Sequence, residues 1–493
     1  MRRKLLAAAP LGVIAALLVP SAAFGADGPS LAETVSSVNT TWVIVAGILV
    51  MFMQAGFAFL EIGFSRAKNA GAGIAKILVN FSISSLCYWA VGFALAFGGT
   101  AAIAGTHGFF LDVSTDAAST AKIIPLVGVT GVNPAALLFF QFVFCAVSLA
   151  IVWGTTLERI KFAAYVIYAI IFSSLIYPVI SHWIFGGGWL QANIGMQDFA
   201  GSTVVHLIGA TGALAALLLL GPRIGKFASN GKPRAIPGHS MPLVGLGVLI
   251  LWLGWFGFNP GSTLAAIGNR FAEVVVVTNL AAAAGVVAAV SVMYVKSKTI
   301  DIGMAGNGAI AALVAITAPS GYVEYWAAPI IGAVAGVIVV FGVLAIDKVL
   351  DDPVGALSAH GLAGVWGTLS CGIFTAPRLA ELNGVGDGGL WYTGSFHQLG
   401  AQALGIAVAF GCVFVVSYAT FWLIKKTIGL RVTAEQEDAG LDISEHGMYG
   451  YPEQFIPQPE YSTGVQHGPS AAPTGVPAPA AVTQMATQPE TQG

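Results

Sequence analysis

Two short stretches carry the residues with the most chemistry. Asp198-Phe-Ala-Gly-Ser-Thr-Val-Val-His206 sets a carboxylate eight residues before an imidazole, at the head of a long apolar run. Asp352-Pro-Val-Gly-Ala-Leu-Ser-Ala-His360 repeats that spacing, and in both a glycine, Gly201 or Gly355, lies five residues before the histidine. Small residues follow each histidine, so two such helices can pack closely and bring their imidazoles together inside a membrane. An ionisable side chain at that depth is costly, and two at matched positions in the halves of a chain point to a functional site. Two neutral imidazoles in a dry passage offer donors and acceptors to a small uncharged polar molecule, or a relay for protons. An alkali cation would want carbonyl or carboxylate oxygens instead. The competing reading is a pair of core histidines bonded to backbone carbonyls.

The residues around this pair fit either a site or plain structure. Asp198 and Asp352 both precede helices and can cap them by accepting backbone N–H bonds; a capping carboxylate at Asp198 can also draw in a cation. Aromatic residues cluster in Leu138-Phe-Phe140-Gln-Phe-Val-Phe144 and in Trp252-Leu-Gly-Trp255-Phe-Gly-Phe258-Asn-Pro-Gly-Ser262. Their ring faces attract a small cation by ~0.5–2 kcal/mol, and the Ser262 hydroxyl can accept a hydrogen bond from it. Interfacial belts and core packing give the same pattern. Glu61, near the end of the first apolar run, reads as structural. Cys87, Cys145, Cys371 and Cys412 lie in apolar runs without metal-ligand spacing and read as buried thiols.

These residues must be held by membrane helices. Of 493 residues, 56% are hydrophobic and 9% charged, against about 25% charged in soluble globules. The chain is an all-α polytopic membrane protein. A net charge of −2 without a basic patch gives no reason to expect nucleic acid, and no nucleophile–base set, phosphate loop or metal cluster suggests an enzyme or a cofactor. Eleven apolar runs approach spanning length: 41–63, 73–97, 134–156, 162–185, 201–220, 241–258, 274–295, 304–318, 325–344, 355–374 and 402–423. Ahead of them, residues 1–26 have the basic, apolar and small-residue parts of a secretory signal peptide. Cleavage there puts the N-terminus outside and the tail in the cytoplasm, an orientation that leaves 15 Lys and Arg on the inner side and three, Lys122, Arg270 and Arg378, on the outer side. The fifth and tenth helices then run in opposite directions, each carrying its histidine about 12 Å inward. A five-plus-five inverted repeat with a final eleventh helix is the architecture this predicts. Residues 39–426 form the transmembrane domain, 427–451 a cytoplasmic tail, and 452–493, rich in Pro, Ala, Thr and Gln, a disordered end.

At this point the chain resembles the ammonium transporter family (Amt, Mep and Rh) across residues 39–451. The resemblance is carried, in order, by Met53-Gln-Ala-Gly-Phe-Ala-Phe-Leu-Glu-Ile-Gly63, Arg66-Ala-Lys-Asn69, Glu158-Arg-Ile-Lys-Phe162, the Asp198-to-His206 stretch, Gly254-Trp-Phe-Gly-Phe-Asn-Pro-Gly-Ser262, His360-Gly, Gly429-Leu-Arg-Val and Gly440-Leu-Asp-Ile-Ser-Glu-His-Gly447. It implies a homotrimer in the cell's inner membrane with one pore per subunit. By resemblance, His206 and His360 are twin pore histidines with Trp255 beside them, and Phe144 and Phe258 form a stacked gate. Phe144, Phe185, Ser262 and Asp198 would recruit ammonium at an outer vestibule, where many relatives carry Trp in place of Phe185. Ammonium would lose its proton there and cross as ammonia. The tail resembles a regulatory segment at which a PII-type protein docks in some bacterial relatives. Two other readings stay open: an ammonium sensor signalling through its tail, and an Rh-like channel for neutral gas.

Overall fold

The computed structural model describes residues 28–113 and 117–455. The expected signal peptide lies outside them, as do residues 456–493 of the tail. Among the described residues the secondary structure is helical, with two isolated β-bridges, Ile160 to Arg431 and Phe227 to Pro233. In chain order the long helices are α1 (Leu31–Phe64), α2 (Ala67–Phe97), α3 (Pro134–Thr155), α4 (Phe162–Ala192), α5 (Ser202–Leu220), α6 (Met241–Gly261), α7 (Arg270–Ser297), α8 (Ile302–Thr317), α9 (Ala327–Ile346), α10 (Leu357–Leu362 continued by Ala363–Phe374) and α11 (His397–Thr427). Among the described residues, nine helices are long and apolar enough to cross a membrane. The shorter two are α8, with 16 residues, and α10, whose 12-residue α-helical part follows a wide turn.

Each expected apolar run falls on one of these helices; the helices at 31–64, 67–97, 162–192, 241–261, 270–297 and 397–427 extend past their runs, while the other runs overhang a helix end by one or two residues. The first helix begins at Leu31, where Ser30 and Glu33 form a reciprocal capping box; residues 31–40, of mixed polarity, continue the helix beyond its apolar part because the cap satisfies its first N–H groups. Residues 452–455, expected to be unstructured, form one helical turn, Pro452–Phe455, in a unit separate from the body of the protein.

Lipid offers no hydrophobic force between helices, so close packing of small residues holds them. Between α1 and α6, a Cβ added at Gly257 would lie 2.4 Å from the Ala46 carbonyl oxygen, and one at Gly247 would lie 2.5 Å from the Leu60 nitrogen. The small pair Gly332 and Gly336 on α9 seats against α7: a Cβ at Gly332 would lie 2.0 Å from the Ala281 oxygen, and one at Gly336 would lie 2.4 Å from the Gly285 oxygen.

The tail closes one end of the bundle by supplying what helix termini lack. The first N–H groups of a helix have no partner within it and favour negative charge. Asp442 accepts from Gly71 and Ala72 at the start of α2, at 2.9 and 2.7 Å. Glu445 accepts from Phe162 at the start of α4, at 2.9 Å. Glu437 accepts from Ile224 at 2.7 Å and pairs with Arg431 at 2.6 Å. Beside the tail lies a buried charge cluster. Arg223 pairs with Asp351 at 2.9 Å and with Glu158 at 3.2 Å, Glu158 pairs with Arg66 at 2.5 Å, and Arg159 lies 3.8 Å from Asp351.

Burial opposes ionisation of Asp351, but its hydrogen bonds from Arg223 and the charges of Arg159 and Arg223 outweigh it and hold the carboxyl at about 2, below its ordinary 3.8. A depressed carboxylate stabilises the fold fully above its unfolded value, and that stability is lost as pH falls toward the folded value. The melting temperature in detergent is therefore expected to fall between about pH 4 and pH 2, partly through Asp351. Asp351→Ala, which strips both guanidinium groups of this counter-charge, should lower stability by ~3–5 kcal/mol at neutral pH and shrink that acid slope; an unchanged melt would contradict the assignment.

Candidate functional site

The site is built by α5 and α10, and both begin in the same way. Asp198 accepts four backbone N–H bonds, from Gly201 (2.7 Å), Ser202 (3.0 Å), Thr203 (2.9 Å) and Val204 (3.1 Å). Asp352 accepts from Val354 (3.4 Å), Gly355 (3.0 Å) and Leu357 (2.8 Å). Between cap and helix stands a glycine in the left-handed half of backbone space, φ +124° at Gly201 and +75° at Gly355. Such φ values strain any residue with a Cβ. A wide π-helical turn follows in each, Ser202–Leu207 and Leu357–Leu362, and each turn carries its histidine. Widened turns recur at functional sites because they re-aim side chains. Nothing in the sequence signalled them.

The two imidazoles meet. His206 Nδ1 lies 3.2 Å from His360 Nδ1, with ring centroids 5.2 Å apart and planes inclined by 22°. His206 is fully buried and His360 is 5% exposed, and His206 Nε2 has no hydrogen-bond partner. Trp255 stacks on His206 at 5.3 Å and is fixed by its N–H donating to the Thr317 hydroxyl at 2.9 Å. Phe258 lies over His206 at 5.6 Å and stacks in turn on Phe144 at 4.0 Å, inclined by 23°. These rings form a column.

A cavity lies at each end. The one far from the tail, about 220 Å³, is lined by Phe144, Phe185, Asp198 and Ser262 together with Phe140, Gln141, Phe199, Tyr322 and others. The Ser262 hydroxyl donates to the Phe258 carbonyl at 2.9 Å, which leaves its oxygen free to accept. The cavity on the tail side, about 20 Å³, is lined by His360 with Phe57, Glu61 and Asn307. Phe57 and His360 rings are 6.4 Å apart.

The geometry also places residues outside the expected site set. Trp183 is absent from the lining of the larger cavity; its N–H donates to the Ile103 carbonyl at 2.8 Å and its ring meets Trp189. It cannot replace the ring that Phe185 supplies. Gln141 was passed over: it lines that cavity, is 6% exposed, and its Oε1 has no hydrogen-bond partner. Its signal was a lone amide in the run from Leu138 to Phe144. Glu61, read as structural, also lines a cavity. Among the described residues no cluster of His, Cys, Asp and Glu could hold a metal.

A helical bundle with spanning helices and a narrow aromatic column between two cavities defines a polytopic membrane transport protein. The model of the Ammonium Transporter Family matches residues 41–451, and the chain belongs to that family. It is 43% identical over 474 residues to "Ammonium transporter Amt2" of Archaeoglobus fulgidus, covering 92% of this chain and 97% of the relative. It is 37% identical over 446 residues to a putative ammonium transporter of Synechocystis sp., covering 88% and 94%. Among solved structures, one titled "Sensor Amt Protein" superposes with a TM-score of 0.75 at 37% identity, covering 84% of this chain and 99% of that one. Mep2 of Candida albicans superposes with a TM-score of 0.74 at 28% identity, covering 83% and 89%.

The twin caps yield a paired prediction. Asp198→Asn and Asp352→Asn each turn one acceptor oxygen into an NH2 group facing backbone donors, so each should destabilise the purified protein by ~1–3 kcal/mol per orphaned N–H. Melting temperatures equal to the wild type for both variants would contradict the capping role.

Proposed function

We propose that this protein takes ammonium from the side away from its tail, strips the proton, and passes ammonia between His206 and His360. Ammonium gathers in the larger cavity, against the ring faces of Phe144 and Phe185, the Ser262 oxygen and the Asp198 carboxylate. It gives its proton to water there. The neutral molecule slips past the Phe144–Phe258 stack and bonds to the imidazoles, where His206 Nε2 has a position to offer.

Charge decides between ammonium and ammonia as the crossing species. Removing an ion from water into a low-dielectric passage costs several kcal/mol on the order of magnitude seen for buried ions, and the Trp255 and Phe258 rings that pack on His206 supply no oxygen to offset it. Ammonia loses only one or two hydrogen bonds, and the imidazoles replace them. The observation that carries the reading is the 3.2 Å contact between the two buried Nδ1 atoms beneath stacked phenylalanines.

The tail side is the cytoplasm in this account, supported by the 15 basic residues on that side of the sequence topology. Residues 39–426 are then the transporter domain in the inner membrane, 427–451 the tail to which a PII-type regulator docks, and the working unit a homotrimer. A sensing role is the second reading, favoured by the 37% identity to the chain titled a sensor. An Rh-like gas channel would need no cation-recruiting cavity, and the cluster of Phe144, Phe185, Ser262 and Asp198 speaks for the first reading.

Replacing His206 and His360 together with Ala should abolish methylammonium uptake in cells lacking their own transporter, while surface expression stays normal. Undiminished uptake by the inserted double variant would refute the passage. A wild type without measurable flux would favour sensing.

A further inference from the structure

Glu61 is a carboxyl group without a structural task. It is 2% exposed, its Oε2 is buried without a hydrogen-bond partner, and it lines the small tail-side cavity with His360 and Asn307. Gly154 makes the space it occupies, since a Cβ there would lie 2.8 Å from Glu61 Oε1. A buried carboxyl retained for the fold would be expected to hold an arginine, a lysine or a helix terminus, as Glu158, Asp351 and Asp442 do.

The nearest candidate for such a partner is committed elsewhere. Lys76 is fully buried, lies 3.8 Å from Glu445 on the tail, donates to the Ile160 carbonyl at 3.4 Å, and sits 3.9 Å over the Trp153 ring. Its charge reaches Glu61 only at a distance. The titratable groups that face or act on Glu61 are Lys76 on α2, Tyr165 on α4 and His360 on α10.

We propose that Glu61 is the proton-exchange group of the tail-side cavity, returning a proton to ammonia as it leaves His360. The cavity, about 20 Å³, has room for one molecule of that size. There the ammonia lone pair takes the proton of the Glu61 carboxylic acid: an N–H bond forms, the O–H bond breaks, and ammonium and a carboxylate remain. The new cation is born beside an anion rather than bare in an apolar space. It leaves for water, and the carboxylate takes its next proton from water on the tail side, which restores the acid. The assignment rests on the twin-histidine passage argued above, and it adds a residue to the exit.

The test uses the purified full chain in sealed liposomes, with labelled methylammonium outside and the lumen buffered at a series of pH values. Glu61→Gln keeps the shape and cannot exchange the proton; its uptake rate should drop at least about tenfold and lose the wild type's dependence on lumen pH. Glu61→Asp, which withdraws the carboxyl by one methylene, should fall severalfold and keep that dependence. A Gln variant matching the wild type in rate and pH dependence overturns the assignment. Should the Gln variant fail to insert, the Asp variant decides: a wild-type rate overturns the proposal. The His206→Ala, His360→Ala double variant runs alongside. If it is inactive while Glu61→Gln is unaffected, only the role of Glu61 falls; if it transports normally, the passage itself falls.

Discussion

The structure depends on one constraint, that polar groups taken out of water must find partners inside the protein. At α5 and α10 the first N–H groups are met by Asp198 and Asp352, and the glycine after each aspartate lets the chain bend back into that cap. The imidazoles carried one turn further on satisfy each other at Nδ1. Among the side-chain atoms buried without partners, His206 Nε2, Gln141 Oε1 and Glu61 Oε2 are the ones that belong to the ring column or line a cavity at its ends.

The same constraint ties the tail to the membrane domain. Its carboxylates do not decorate a surface; Asp442 and Glu445 complete the N-termini of α2 and α4, and Glu437 receives the Ile224 N–H. Glu445 also holds Lys76 at 3.8 Å, so the tail reaches toward the charge environment of Glu61.

Much of this was legible in the letters. Apolar runs located the helices because lipid demands about 20 such residues per crossing, and the doubled Asp-to-His spacing singled out two helices of opposite direction. What periodicity could not give was local geometry. The π-helical turns holding His206 and His360 depend on where N–H groups are captured by a neighbouring carboxylate, which no hydropathy pattern records. The start of α1 at Leu31 was hidden because a capping box, not apolarity, sets it. Gln141 drew no reading and Glu61 reads as structural for a related reason: a lone polar residue in an apolar run looks the same whether it is bonded or waiting, and only the packing around it tells the two apart.

The central claim is that the passage admits a molecule only once it is uncharged. Potassium and rubidium resemble ammonium in size and charge but have no proton to give up. Parallel fluxes of radiolabelled rubidium and methylammonium into liposomes holding the purified protein test this directly. The account predicts methylammonium entry well above protein-free liposomes and rubidium entry equal to them. Rubidium entering at a rate comparable to methylammonium would contradict it.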